Sequence, residues 1–435
     1  MLLSCAVENF RSFLDEQELS LVANSRQSNL LSHLVEIPAH EQKVLPLAAI
    51  YGANGAGKSN FVRALRWMKA MVLRSTANEA RVKGCQPFLF ARPERATRVS
   101  LRFLSDGFVF DYGFSAFPAR IDSEWLDVIS PTGRELVLYE RRTTPENASE
   151  IEYGDELGPL SQRLQAMRTL GPRSTELFLS RIIRDIPSEE LPKQLVSAMA
   201  WFKALEIISA DSNSTPLFDR LTQDIEYRSY VEGLLRRADT GVSQLAPRVV
   251  SHHIENLGAL NRRRAEKKEP GARFIAGGLR LVKVSDELAE ERSLRTLHTS
   301  GEGSDAELDF SEESDGTQRL AHLAAAAFAA GREPSVLVVD ELDRSLHAVL
   351  VKTFVGEFLS RANGKRNQLI FTTHETHVLD QDLLRRDEVW FAQKSANGAT
   401  ELFSLDDFPV RNDLRLDRSY LSGRFGAVPP TFGPA

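Results

Sequence analysis

Apolar and polar positions alternate from the start of the chain. Leu2 to Phe13 and Gln17 to Val22 read as short strands with a turn between them, and Leu45 to Tyr51 is a continuous apolar run of the buried-strand type. A helix is predicted from Lys58 to about Leu73. Thr97–Phe103, Phe108–Phe114 and Leu136–Arg141 alternate as strands, with Asp106-Gly107 as a hairpin signal between the first two. From about Ala148 the apolar spacing changes to three and four residues, which predicts helices over Leu160–Leu170, Ser174–Ile183, Glu189–Ile208 and Phe218–Ala238. Strand character returns at Gly278–Val284 and Ser293–His298, followed by an acidic loop, Gly301–Glu313. In the last third, helices over Gly316–Ala330 and Ser345–Arg361 alternate with buried strands over Ser335–Asp340 and Gln368–Thr373. Such alternation implies a parallel sheet covered on both faces. The expected organisation is a β-rich N-terminal lobe over 1–147, a helical insertion over 148–292 and a C-terminal lobe over 293–435.

Composition and charge sharpen this picture. At 435 residues, 42% hydrophobic and 26% charged, the chain is globular and long enough for two or three lobes. With 54 Lys+Arg against 60 Asp+Glu the net charge is −6, which argues against wholesale attraction to nucleic acid. Dense basic character is confined to Arg262–Arg264 with Lys267 and Lys268, and to Arg236-Arg237; a solvated charged loop and a DNA or RNA contact both fit it. Cys5 and Cys85 form no CxxC pair, so neither a disulfide framework nor a Cys-rich zinc site is available, as suits the reducing cytosol. The apolar run Leu320–Ala330 is broken by His322 and falls well short of the roughly 18 residues that span a bilayer. Met1–Val7 is followed at once by Glu8 and Arg11, which is not a secretory signal, and the expected location is the cytoplasm with no membrane partner.

Four motifs carry chemistry. Gly52-Ala53-Asn54-Gly55-Ala56-Gly57-Lys58-Ser59 matches the phosphate-binding loop GxxxxGK[ST] and lies between a buried strand and a helix start, where its mechanism requires it. Glycines let backbone N–H groups approach phosphates, the helix N-terminus adds favourable partial charge, Lys58 reaches the β- and γ-phosphates, and Ser59 offers a hydroxyl to Mg²⁺. Val336–Glu341 (VLVVDE) places Asp340 at the carboxyl end of a strand, where it can hold Mg²⁺, with Glu341 one step on as a general base for water. Ser314 and Gly316, just before the helix that feeds this strand, form a second anion-type helix start, although Ser314 would serve equally as an ordinary helix cap. Only 26 residues separate Ser314 from Asp340, against 282 from Lys58 to Asp340. Last comes Thr372-Thr373-His374 at the end of a buried strand. His374, Glu375 and His377 lack the i, i+4 histidine spacing of a zincin helix, so a metal site is not expected there.

The wide separation of the first two motifs, with an S-x-G element ahead of the second, resembles the ABC-type ATPases of the SMC, Rad50 and RecF group. Asn9-Phe10-Arg11-Ser12-Phe13, the loop through Asn60, Gln86-Pro87-Phe88, ESDGT, VVDELDRSLH, FTTHETHVLD, LLRRDEVWF and Tyr420 to Pro429 are together similar to the AAA15 or RloA-like ATPases, relatives of the OLD and Rad50 proteins. That resemblance implies an α/β P-loop NTPase, an ABC-type head with an N-terminal β lobe, that binds ATP and Mg²⁺. It implies that Ser314 and Gly316 cap the γ-phosphate held by the opposite subunit of a homodimer or larger assembly, that His374 contacts the γ-phosphate, that Arg11 approaches the phosphates and that Gln86 matches an Mg²⁺-contacting glutamine. Leu342 and His347 depart from the proline and the aspartate that many ABC ATPases carry there.

Such proteins often accompany restriction, abortive-infection or two-component phage-defence systems, PARIS being one type. The implied role is a sensor or regulatory ATPase controlling a separate effector, a nuclease or toxin, with DNA or a phage protein as trigger. A RecF- or Rad50-like repair ATPase and an ATP-clamped scaffold with little turnover fit the same motifs. The 61 residues after His374 are too few for the TOPRIM nuclease of OLD proteins, and the insertion carries neither a long heptad run nor a CxxC hook.

Overall fold

A computed structural model describes residues 1–37, 40–76, 80–146, 148–169, 171–209, 215–257, 273–276, 279–299, 305–330, 335–362, 364–411 and 414–429. The chain divides into two compact units. The first holds Met1–Ala210, Ala329–Asp343 and His347–Ala435; the second holds Asp211–Phe328 and Arg344–Leu346.

Two large sheets and a two-stranded ribbon of Val35–Glu36 with Lys43–Val44 build the first unit. In the parallel one, Glu206–Ile208, Val336–Val339, Gln368–Thr372, Leu47–Tyr51 and Val389–Lys394 lie side by side in that order, and Thr400–Ser404 closes the edge antiparallel. Its central strands are apolar throughout because both faces are covered: every residue of Leu47–Tyr51, Val336–Val339 and Gln368–Thr372 is buried. The other sheet is antiparallel, in the order Ser149–Tyr153, Glu135–Thr143, Arg120–Ile129, Phe108–Phe117, Thr97–Ser105, Leu2–Glu8 and Gln17–Ser20. Asp106 and Gly107 both have positive φ, 47° and 88°, as a two-residue hairpin turn demands. Helix Lys58–Arg74 contributes Phe61, Leu65 and Met68 to the shared core, where Trp67 stacks on Phe10 at 5.2 Å. Gln368 ties the sheets together, its Nε2 donating to Leu2 O (2.8 Å) and Leu45 O (2.9 Å).

A buried carboxylate organises the helices behind the antiparallel sheet. Glu124 accepts from Tyr112 (3.1 Å), Tyr139 (2.8 Å) and the amides of Phe178 (2.6 Å) and Leu179 (3.0 Å), so it caps helix Phe178–Asp185 from the sheet. Its charge is met by Arg141 at 3.7 Å, also fully buried.

The second unit pairs helices Thr215–Gln223 and Ile225–Arg237 with an antiparallel sheet of Val242–His253, Leu288–Thr299, Leu279–Lys283 and Arg273–Ala276; Asp305–Asp309 joins alongside Leu288–Thr299. Leu221, Tyr227, Val231, Leu235, Val242 and Leu320 meet in its core. The helical insertion expected over 148–292 is therefore corrected. Residues 148–210 belong to the first unit, and much of the remainder is sheet. Two further expectations change. Glu206–Ile208, read as the tail of a helix, is a parallel strand, and the helix it was assigned to is Lys193–Ala204. The run from Phe218 to Ala238 is two helices, because Asp224 breaks it and caps the second through the Tyr227 amide at 3.0 Å. The basic run Arg262–Arg264, Lys267 and Lys268 lies outside the described residues. Among those described, no helix is long and apolar enough to cross a membrane.

Candidate functional site

The carboxyl ends of the central parallel strands converge on one region of the first unit, as expected for ligands of such sheets. Strand Leu47–Tyr51 delivers Gly52 to Gly57, and helix Lys58–Arg74 starts on Gly57, with no acidic residue in its first turn and, among the described residues, no capping side chain. An end of this kind leaves first-turn N–H groups for an anion. Two glycines are required by space as well as by φ: a Cβ at Gly52 (φ +151°) would sit 2.3 Å from Ala392 O, and one at Gly57 (φ +111°) 2.0 Å from Thr400 Oγ1. Asn54 and Gly55 are exposed at the loop's crest and Ala56 is buried.

Lys58 is the loop's own cation. Its Nζ donates to Gly52 O (2.8 Å) and Ala53 O (3.2 Å) and lies 2.9 Å from His374 Nε2. Burial lowers its pKa to about 8, against the opposing pull of Asp343, Glu341 and Asp340. Burial first, and then Lys58, also lowers the His374 pKa, so the ring is a neutral acceptor facing the ammonium. Its backbone N–H is held by the Asp343 carboxylate at 3.2 and 3.3 Å.

The acidic turn is fixed with similar care. Asp340, 6% exposed, accepts at one oxygen from Ser59 Oγ (3.0 Å) and Thr372 Oγ1 (2.8 Å), and its amide donates to Ile208 O at 2.9 Å. The Glu341 amide donates to the same Thr372 hydroxyl at 2.8 Å, with Glu341 in the left-handed region at φ 52°. A buried carboxylate and two hydroxyls form a hard oxygen set, which fits Mg²⁺ beside phosphates, with Ser59 and Asp340 as its holders. No group of three His, Cys, Asp or Glu able to hold a metal ion by itself occurs among the described residues. His377 instead pairs with Glu375 at 2.5 Å.

Arg11 lies near the other flank. Its amide donates to the main-chain oxygen of Gln86 at 2.7 Å, and its guanidinium, 5.8 Å from the Phe10 ring, is depressed in pKa by burial and by neighbouring Arg63. The Gln86 side chain is exposed, and among the described hydrogen bonds it meets neither Ser59 nor Asp340. Ser314 and Gly316 belong to the second unit. Ser314 Oγ accepts from the Thr317 amide at 3.1 Å at the start of helix Asp315–Ala330, and a Cβ at Gly316 would approach Ser345 O to 2.6 Å. Leu342 is fully buried, while His347 caps helix Ala348–Ala362 through the Val349 amide.

Several participants escape a reading by motif. Thr400 Oγ1 donates toward Ala56 O (2.7 Å) and lies 2.8 Å from Ser12 Oγ, which also accepts from Asn60 Nδ2 at 2.8 Å. Ser12 and Thr400 thus pin the loop from two distant parts of the chain. Thr372 and Asp343 lie inside stretches read for their neighbours, so the signal for them was the strand end itself.

None of the curated proteins compared matches this sequence. Solved structures similar to the chain include the SMC head domain from Thermotoga maritima (14% identity, 93% of this chain and 98% of that one, TM-score 0.36). An Smc head bound to the C-winged helix domain of ScpA aligns at 14% identity over 93% and 97%, TM-score 0.41. An Smc head with an extended coiled coil, bound to the C-terminal domain of ScpA derived from Pyrococcus furiosus, aligns at 13% over 93% and 96%, TM-score 0.39. A family profile matches most of the chain, residues 47–380, including the phosphate loop, the acidic turn and His374. By that match the chain belongs to the P-loop ATPase family described as "AAA domain, putative AbiEii toxin, Type IV TA system".

Proposed function

We propose that the protein hydrolyses ATP with Mg²⁺ at a site completed by a second copy of itself, as an ABC-type, AAA15 or RloA-like ATPase that governs a separate effector in anti-phage defence. One observation carries the ATPase reading: Lys58, Ser59, Asp340, Glu341 and His374 stand around a single phosphate loop, joined by bonds of 2.8–3.0 Å through Thr372 and one another. Lys58 neutralises phosphate charge, Glu341 takes the proton of the attacking water, and His374 exchanges its lysine contact for the γ-phosphate. Bound Mg²⁺ would add charge neutralisation at the transferring phosphoryl oxygens. Arg11 supplies further positive charge from the loop's flank.

The second copy is inferred from Ser314 and Gly316. A Ser hydroxyl and a Gly at a helix start suit a phosphate, and one ATP does not need two such ends from one chain. The family description, with its toxin and its toxin–antitoxin system, supports a place in abortive infection, with a nuclease or toxin as partner and DNA or a phage protein as trigger. Two free cysteines and dependence on ATP suit the cytoplasm.

Mixing two inactive variants tests the shared site. Ser314→Arg spoils the signature and Lys58→Ala spoils the phosphate loop, so each alone should release no phosphate. A heterodimer holds one intact combination and should recover measurable turnover. Heterodimers that form and remain as inactive as either parent refute the shared site.

A further inference from the structure

Two hydroxyls whose role no motif assigns sit against the phosphate loop. Ser12 lies in the tight turn Asn9–Phe13, which also carries Arg11 and is closed by reciprocal main-chain bonds of 2.9 Å between Phe10 and Phe13. Thr400 opens the edge strand Thr400–Ser404, and its amide donates to Ser12 O at 2.7 Å. That main-chain bond joins the two segments without help from either hydroxyl. Both side chains are buried, Thr400 at 1% exposure and Ser12 at 8%, and both abut Gly57, where a Cβ would stand 2.0 Å from Thr400 Oγ1 and 2.8 Å from Ser12 Oγ.

The direction of the hydrogen bonds is fixed at both ends. Asn60 Nδ2, which can only donate, gives to Ser12 Oγ at 2.8 Å, and the amide is oriented by Arg63 Nη1 donating to Asn60 Oδ1 at 2.9 Å. Ala56 O, which can only accept, takes from Thr400 Oγ1 at 2.7 Å. Each hydroxyl has one proton, so the 2.8 Å contact between them is Ser12 donating to Thr400. One chain of bonds therefore runs from Asn60 through Ser12 and Thr400 to Ala56, each bond polarising the next. In a planar trans peptide the C=O and the following N–H point in opposite directions, so holding Ala56 O also aims the Gly57 N–H. Gly57, at φ +111°, has the conformational freedom to turn that peptide if nothing restrains it.

We propose that Ser12 and Thr400 are positioning residues of the nucleotide site: with Asn60 they act as a single unit that aims the Gly57 N–H at the bound phosphates and so sets the affinity for the triphosphate. This rests on the ATP reading above. The unit touches neither Glu341 nor Asp340 in any described bond, so its loss falls on binding and KM rather than on kcat.

The test compares Thr400→Val, which keeps the shape and removes the hydroxyl, with Thr400→Ser, Ser12→Ala, the double variant Ser12→Ala with Thr400→Val, and Tyr139→Phe, which removes a buried hydroxyl bonded to Glu124 in the antiparallel sheet. For each, calorimetry with a non-hydrolysable ATP analogue gives Kd, and a melt without nucleotide gives Tm. Thr400→Val is expected to raise Kd and KM about five- to tenfold, the effect of one lost hydrogen bond, with kcat within about twofold, and Thr400→Ser to restore Kd to within about twofold. Ser12→Ala, which leaves the bond to Ala56 in place, is expected to raise Kd about two- to fivefold alone and to add nothing to Thr400→Val, because residues of one unit do not contribute independently. Tyr139→Phe is expected to lower Tm with Kd unchanged. A wild-type Kd for Thr400→Val, no rescue by serine, losses that multiply in the double variant, or a Kd that rises in Tyr139→Phe in step with lost stability each overturns the proposal alone. If Thr400→Val does not fold, a wild-type Kd for Ser12→Ala overturns it. A wild-type chain that binds no analogue overturns the ATP reading and this proposal with it.

Discussion

Replacing Thr372 by valine tests whether the acidic turn is assembled by one hydroxyl. The side chain is fully buried and nearly isosteric with valine, so the change removes a polar atom and little shape. Two bonds of 2.8 Å are lost: the one to the Asp340 carboxylate and the one from the Glu341 amide. A hydrogen bond to a charged group contributes about 1.5–3 kcal/mol, and an amide left without an acceptor costs about 1–3 kcal/mol. Because the two share one atom and the turn can relax, about 2–4 kcal/mol of lost stability is expected rather than their full sum. Glu341 also sits in the left-handed region, at φ 52°, a conformation that costs about 1–3 kcal/mol and persists only while its surroundings hold it. Release of that constraint moves the base away from the water, and a displacement of about 1 Å is worth about 10²-fold in rate. Thr372→Val should therefore bind the ATP analogue within a few-fold of wild type, since no Lys58 contact involves it, yet turn over about 10²-fold more slowly. Single-turnover phosphate release and urea denaturation measure the two effects, and Thr372→Ser, which keeps the hydroxyl, should restore most of both. A valine variant with wild-type turnover would refute the argument that this hydroxyl positions Glu341.

Two further outcomes follow from the same geometry. Glu341→Gln keeps the size of the side chain but removes the proton acceptor, so it should retain ATP binding and lose at least about tenfold in steady-state phosphate release; unchanged turnover would move the base elsewhere. Lys58 has a pKa near 8 in the protein as described, and phosphates beside it would raise that value, so binding above pH 8 must take up a proton. ATP affinity should fall as pH rises from 8, by up to about tenfold per unit, and calorimetry at pH 9 in buffers of different ionisation enthalpy should register the uptake; a flat profile would show that Lys58 is not the group that meets the phosphates.

Local patterning reveals elements whose burial is regular and hides those that pairing alone defines. Leu47–Tyr51, Val336–Val339 and Gln368–Thr372 are legible because strands buried on both faces are apolar without interruption. Arg120–Ile129 is not, since its alternation is broken by a register shift at Leu126/Asp127 and by a buried acid, Glu124, at a core position. Val242–His253 contains Pro247 and two successive exposed valines, Val249 and Val250, a pattern that speaks against a strand; its long register with Leu288–Thr299 overrides the local signal. Glu206–Ile208 is three residues long and exists because Val336–Val339 offers it an edge.

The site divides along the same line. Gly52 to Ser59 is contiguous, so its chemistry is written in one stretch, and Asp340, Glu341 and His374 each end an apolar run that announces a buried strand. Nothing comparable announces the roles of Ser12 and Thr400. Ser12 and Thr400 lie 388 residues apart and meet only because the loop after Leu2–Glu8 and the hairpin strand Thr400–Ser404 are brought to the same glycine, Gly57. Their role is to hold main chain rather than phosphate, so no spacing rule tied to a ligand selects them. Gln86 shows the converse: a residue suggested by resemblance is anchored through its carbonyl to Arg11 while its side chain stays exposed. Residues that would touch ATP can thus be read from short motifs, whereas those that set the loop's shape are fixed by sheet order. That asymmetry makes Thr372 and Thr400 better tests of the structure than Lys58, whose loss would weaken binding in any protein with this loop.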